Sequence, residues 1–251
     1  MRIYTATVSS FFYFLFIFNA PAQSLPPNLF SIPPRGLSFG AAFNGNINFS
    51  DQSRGTSSRV EQKNRYFFPS VELLAAYTWP QGWRAEAGLG VGSVATVALD
   101  ASEEFGQGST LSVGTVQVPL RLYRHFPLGS TRFTVSPSIG VQYVALSTGG
   151  KTVPRQPIFS GKPEFGSSGQ TFTTLRDNAF TYQFGAGLNY IARKLELAFF
   201  VRYTNGIGRP LVLRGQLEYD REGVEQPAIV SHNHLESVTI GIAVRRTFFA
   251  R

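Results

Sequence analysis

From Leu37 to Phe49 the chain alternates: Leu37, Phe39, Ala41, Phe43, Ile47 and Phe49 are apolar, whereas Ser38, Gly40, Ala42, Asn44, Asn46 and Asn48 are small or polar. A period of two throws successive side chains to opposite faces of an extended strand. Such a segment needs a partner for each backbone edge and an apolar environment on one face only.

The same split recurs in Thr131 to Ala145, where Phe133, Val135, Pro137, Ile139, Val141 and Tyr143 alternate with Arg132, Thr134, Ser136, Ser138, Gly140 and Gln142. It recurs again in Phe180 to Tyr190. Weaker versions cover Ser70 to Trp79, Trp83 to Leu99, Thr115 to Arg124, Leu195 to Thr204 and Val238 to Phe248, so the pattern predicts eight strands. Beyond the N-terminus no window is continuously apolar for the roughly 20 residues that a spanning helix needs.

The connections alternate in length. Short ones lie at Pro80-Gln81-Gly82, Pro127-Leu128-Gly129-Ser130 and Ala192-Arg193-Lys194. Long polar ones run from about Ser50 to Asn64, Asp100 to Ser109, Thr148 to Asn178 and Asn205 to Glu236. Transmembrane barrels have short periplasmic turns and long outward loops. The expected fold is therefore all-β: an eight-stranded antiparallel transmembrane barrel, an up-and-down meander over residues 36–251, with both termini in the periplasm.

Alternation does not say which face is inside, and a soluble lipocalin-like barrel with an apolar cavity is the rival. The opposite face argues for the membrane. It holds Gly88, Gly90, Gly92, Gly140, Gly185, Gly187 and Gly241 among Ser, Thr and Asn, where a soluble barrel would carry many charges. Its charges have both signs: Glu72, Arg84, Glu86, Arg121, Arg132, Glu196 and Arg202. In a lumen only wide enough for side chains these are expected to pair into a plug. Tyr77, Trp79 and Tyr190 end the apolar face before short turns, as in an interfacial aromatic girdle.

Composition agrees. With 25 Gly, 23 Phe and 10 Tyr but only 15% charged residues, the chain is poor in the Lys and Glu that coat a soluble surface. It has no cysteine, so neither a disulfide nor a thiolate metal site staples the fold.

Residues 1–22 read as an export signal: Arg2 is the lone charge, Phe11 to Phe18 is apolar and Ala20-Pro21-Ala22 offers small residues at cleavage spacing. Residues 23–35 form a Pro-rich leader with Pro26, Pro27, Pro33 and Pro34. Removing residues 1–22 takes away one Arg and no acid, which lowers the formal charge from +8 to +7. Export argues against reading that balance as nucleic-acid binding.

The stretch Val116-Gln117-Val118-Pro119-Leu120-Arg121-Leu122-Tyr123-Arg124-His125-Phe126, followed by a short turn and Ser138-Ile139-Gly140-Val141-Gln142-Tyr143, resembles the outer-membrane β-barrel domain family of Bacteroidetes. That family includes PorT-like and OmpX-like small barrels. Phe184 to Tyr190 and Val201 to Ile207 resemble its later strands. The resemblance implies an outer-membrane barrel and transfers no catalytic residue.

Two local candidates for chemistry remain. Within Ser231-His232-Asn233-His234-Leu235-Glu236-Ser237, Ser, His and Glu are the types of a nucleophile, base and orienter, and His232 with His234 could share a strand face for a metal. Against this, polar residues entering the last strand from a loop need no chemistry. His125, beside Phe126 at a strand end, reads as an interfacial side chain. No catalytic, cofactor-binding or metal-binding residue is assigned. The long loop carries Lys151, Arg155, Lys162 and Arg176 against Glu164 and Asp177, a basic balance that would suit anionic lipopolysaccharide, or simply solvated charge.

The expected partners are outer-membrane lipids and lipopolysaccharide, the barrel assembly machinery during insertion, and secretion-system proteins, with no nucleic acid. The expected role is structural, adhesive or interactive. An assembly subunit of PorT-like type comes second and a lipid A-modifying barrel enzyme third.

Overall fold

The computed structural model describes residues 35–54, 62–101, 107–129, 132–147, 152–157, 165–192 and 194–249. The export segment and nearly all of the Pro-rich leader lie outside these residues. The strands are β1 Gly36–Arg54, β2 Gln62–Thr78, β3 Trp83–Ala101, β4 Gln107–Arg124, β5 Phe126–Pro127, β6 Phe133–Leu146 and β7 Thr152–Pro157. They continue with β8 Phe165–Thr174, β9 Asn178–Ala192, β10 Leu195–Gly206, β11 Leu213–Arg221, β12 Val224–Glu225, β13 Ile229–Asn233 and β14 Ser237–Phe249.

Eight of them close a barrel in the order β1-β2-β3-β4-β6-β9-β10-β14, each antiparallel to its neighbours, and β14 returns to β1 through Ala41↔Val244 and Asn44↔Gly241. Closure leaves no free edge in the wall. These are the eight segments that the alternation marks.

The parity is as read from the sequence. Phe43 is 64% exposed and Ile139 40%, while Asn44, Ser138 and Gln142 are buried. An apolar outer wall and a polar interior exclude the lipocalin-like alternative, in which the apolar positions would line the cavity. Among the described residues the outward face carries charge only at its two ends: Asp51, Lys63 and Arg65 at one, Arg124 and Arg246 at the other. Aromatic rings sit at the short-turn end, with Tyr77 5.2 Å from Trp79, Phe133 5.2 Å from Tyr190 and Phe39 5.8 Å from Phe248.

The long connections differ from the polar loops that composition suggests. The β2–β3 ladder ends at Ser70↔Gly92, and β3 shifts register between Gly92 and Ala95. Beyond this bulge β3 and β4 continue as a hairpin past the rim, since β6 meets β4 only over Thr115 to Tyr123. Facing the hairpin is a branch of the same sheet, built on the C-terminal end of β1, where Asp51 to Arg54 pair with β13, followed by β11, β8 and β7. Val97, Leu99 and Val113 of the hairpin bury against Phe172, Leu213, Leu217, Tyr219 and Ile229 of that branch. The described parts of the long connections thus fold into an apolar-cored β cap. The alternation that encodes it is carried on short strands such as Leu213, Leu217 and Tyr219 in β11, hidden among polar neighbours.

Candidate functional site

The lumen is the most elaborate arrangement of polar groups in the molecule. At the level nearest the short turns, Arg84 of β3 donates to both oxygens of Glu196 in β10 at 2.7 and 2.5 Å, and its Nε donates to Thr78 at 3.0 Å. Arg245 of β14 bridges Glu86 of β3 at 2.7 Å and Glu196 at 3.0 Å. Arg121 of β4 takes Glu72 of β2 in a fork, at 2.8 and 2.9 Å, and reaches Glu86 at 3.2 Å. The Tyr123 hydroxyl donates to Glu86 at 2.8 Å.

Five of the barrel's strands meet in these pairs, so the cross-links run across the barrel as well as along its wall. Bidentate guanidinium–carboxylate pairs are among the strongest that side chains make, and here every partner is buried.

Arg202 of β10 is the outlier. It lies 3.6 Å from Glu72 and donates to the Tyr123 hydroxyl at 3.2 Å, but its Nε and Nη1 have no hydrogen-bond partner among the described residues. Its guanidinium stands 3.6 Å from the centre of the Phe200 ring. Phe200 belongs to a small apolar patch inside the lumen with Ala42, Leu74, Ala198 and Ala243. Four arginines therefore face three glutamates.

Above the charges lies an uncharged polar tier. Gln142 donates to Gln117 at 2.8 Å, Arg121 Nε to Gln183 at 2.9 Å, and Gln183 also bonds Gln142. Between tier and cap a cavity of about 10 Å³, lined by Asn46, Glu72, Gln117, Gln142, Arg202 and Thr239, is the size of a single water. Asn48 then bonds Thr96 at 3.2 Å, and Asn233 reaches the carbonyls of Phe49 and Thr96, both at 2.9 Å. The cap core closes over this layer.

The structure corrects two expectations and adds one residue. Arg132, although on the inward parity of its strand, precedes the first residue of β6 and is exposed, outside the network. Arg245 belongs to the network instead. It was legible by parity with Thr239, Gly241 and Ala243, but the Arg245-Arg246 pair hides which of the two points inward. His125 is buried rather than interfacial, 3.5 Å from the Thr134 hydroxyl and stacked on Tyr123 at 6.5 Å.

The segment Ser231–Ser237 is not brought together as a site. Ser231 and His232 are neighbours in β13 and so project to opposite faces. Glu236 is engaged by Lys63 at 2.7 Å and Tyr203 at 3.1 Å. The His232 and His234 rings are 6.4 Å apart, and His234 Nδ1 lies 3.3 Å from the Arg209 carbonyl. Among the described residues no group of three His, Asp or Glu could hold a metal. His232 sits on the outer face of the cap, opposite Asp51 and Arg214 in the ladder, and partial burial, then the Arg214 charge, lowers its pKa.

No family model matches the chain, and no curated protein matches it. Among solved structures it is similar to the outer membrane protein OprG from Pseudomonas aeruginosa, at 11% identity and a TM-score of 0.43 over 87% of this chain and 99% of that one. A major outer membrane protein from Thermus thermophilus gives 15% identity and a TM-score of 0.42 over 84% and 99%. Neisserial surface protein A gives 12% and 0.40 over 85% and 99%. With each of these TM-scores under 0.5, the barrel assignment rests on the strand ladder and its burial, not on these likenesses.

Proposed function

We propose that the protein is exported, spans the bacterial outer membrane and serves as a non-conducting scaffold that presents its β cap to the outside. One observation carries this reading: an uncharged apolar outer wall surrounds a lumen filled by paired charges and closed by the cap. A wall of that kind is stable against lipid and not against water. Short turns and both termini then face the periplasm. Arg65, 6.0 Å from the centre of the Phe49 ring, meets the outer leaflet, where lipopolysaccharide phosphates would suit it.

The role is structural, adhesive or interactive, without catalysis, since the nucleophile, base and acid of Ser231–Ser237 face apart. Membrane insertion would pass through the barrel assembly machinery. The resemblance at Val116–Phe126 supports a second reading, a PorT-like subunit of a secretion or gliding assembly in Bacteroidetes, whose partners would be secretion-system proteins. Cell fractionation tests the main reading. Recovery in outer membranes, with different gel mobility before and after boiling, supports it; recovery in the soluble periplasm overturns it. Co-purification with secretion components would favour the second reading over a free-standing scaffold.

A further inference from the structure

The short-turn end of the barrel has a charge pattern of its own. Arg35 before β1, Arg246 in β14, Lys194 before β10, Arg132 before β6 and Arg124 at the end of β4 all lie there. In the strand order β1-β14-β10-β9-β6-β4 they follow one another along a single arc of the rim. The Trp79–Trp83 turn, which has no charge, completes the circle.

Among the described residues no Asp or Glu lies at this rim. Glu72, Glu86 and Glu196 point into the lumen and are held by its arginines. Every other Asp and Glu of the chain falls, by sequence position, in the long connections or the strand ends that meet them. The lumen network adds to the same sign, with four arginines against three glutamates.

Two of the five cations are fixed at the depth of the aromatic girdle. The Arg124 guanidinium stands 5.3 Å from the ring centres of both Trp83 and Phe126, and that of Arg246 stands 5.5 Å from Phe248. Rings at this level mark the boundary between acyl chains and headgroups, so the cations are set where lipid phosphates lie. Like charges gathered on one rim repel unless a counter-charge is supplied.

We infer that this rim is a binding collar for anionic phospholipid headgroups, a phosphodiester without a balancing ammonium such as phosphatidylglycerol. A zwitterionic headgroup carries its own cation and neutralises the collar less. The inference rests on the membrane-barrel reading above.

The test uses the whole mature chain, folded in detergent micelles and scored for folding by its gel mobility before boiling. Native mass spectrometry with equimolar phosphatidylglycerol and phosphatidylcholine should show preferential retention of phosphatidylglycerol. Arg132→Gln, Lys194→Gln and Arg246→Gln should each cut that preference by about five-fold, the effect of one basic residue at a charged membrane surface. Arg176→Gln, Arg209→Gln and Arg214→Gln, at the cap end, should leave it unchanged.

Equal retention of the two lipids by folded protein, or equal loss in the cap-end variants, overturns the inference. Displacement of phosphatidylglycerol by glycerol phosphate at equal concentration would mean that a soluble anion, not a lipid, is the ligand, and also overturns it. Failure of the protein to fold in micelles or vesicles would instead strike the membrane-barrel reading.

Discussion

Gly140 of β6 stands directly opposite Arg121 of β4, and a Cβ at position 140 would fall 3.0 Å from Arg121 Cγ and 2.5 Å from the Leu120 carbonyl oxygen. The relationship repeats around the lumen: Gly90 faces Glu72, Gly185 faces Arg202 and Gly40 faces Arg245. Each glycine leaves the space that a long charged side chain crosses to reach its partner. The inward glycines are therefore part of the plug.

Gly140→Ala and Gly185→Ala are accordingly expected to destabilise the folded barrel by about 1–3 kcal/mol each, the usual cost of overfilling a closed interior. Urea titration in lipid vesicles, followed by gel mobility, reads the change. An unchanged midpoint for both variants would mean that the strands relax and the glycines are incidental.

The arginines should differ sharply. Arg121→Met strips Glu72 and Glu86 of a shared partner and should cost about 3–5 kcal/mol, as breaking a buried pair does. Arg202→Met removes a cation beside Phe200 that has two nitrogens without a hydrogen bond and only a long, 3.6 Å ion pair to Glu72, so the same titration should find it neutral or stabilising. Equal losses for the two would show that Arg202 is as well compensated as Arg121.

Most of the barrel was legible in the sequence because one physical signal, alternation, fixes both strand position and facing. Ile139 and Leu188 had to be outside once Ser138 and Asn189 were inside. What was not legible depends on strand ends and on contacts across the sheet. Arg132 has the right parity but no strand beneath it, and His125 keeps the inward parity of Arg121 and Tyr123 because β5 prolongs β4 along β6 in the same register, past the point where the alternation is plain. The cap was hidden because Val97, Leu99 and Val113 lie on β3 and β4 beyond the bulge, and its other apolar residues are spread over strands too brief to show a period.

His232 gives the cap an expected response to acid. Its pKa is lowered from the ordinary 6.5, first by partial burial and then by Arg214, so the folded cap favours the neutral ring. That preference is fully present above about pH 6.5 and is lost as pH falls through the lowered value. Hydrogen exchange of the Ile229–Asn233 amides, corrected for intrinsic rates, should quicken as the medium is taken from neutral to mildly acidic, and His232→Gln should remove the difference. Exchange independent of pH in the unsubstituted protein would contradict this.

A lumen filled by Arg84, Arg121, Glu196 and Arg245 and covered by the cap leaves no open path for ions. Planar bilayers containing the purified protein should show no stable openings of porin size. Removal of the cap alone should not create them, because the charge network beneath it remains; large steady currents from the capless barrel would place the seal in the cap instead.

The barrel turns its apolar face to lipid and its polar face inward, and adjacent residues of β4 test this most directly. Leu122 is 38% exposed on the outer wall, and Tyr123 is 6% exposed in the lumen. With Trp79 and Trp83 replaced by Phe, Leu122→Trp and Tyr123→Trp each provide a single fluorophore for vesicles of brominated phosphatidylcholine. Strong quenching at 122 with little at 123 is the result the structure requires, whereas quenching at 123 with protection at 122, or equal quenching at both, would contradict it.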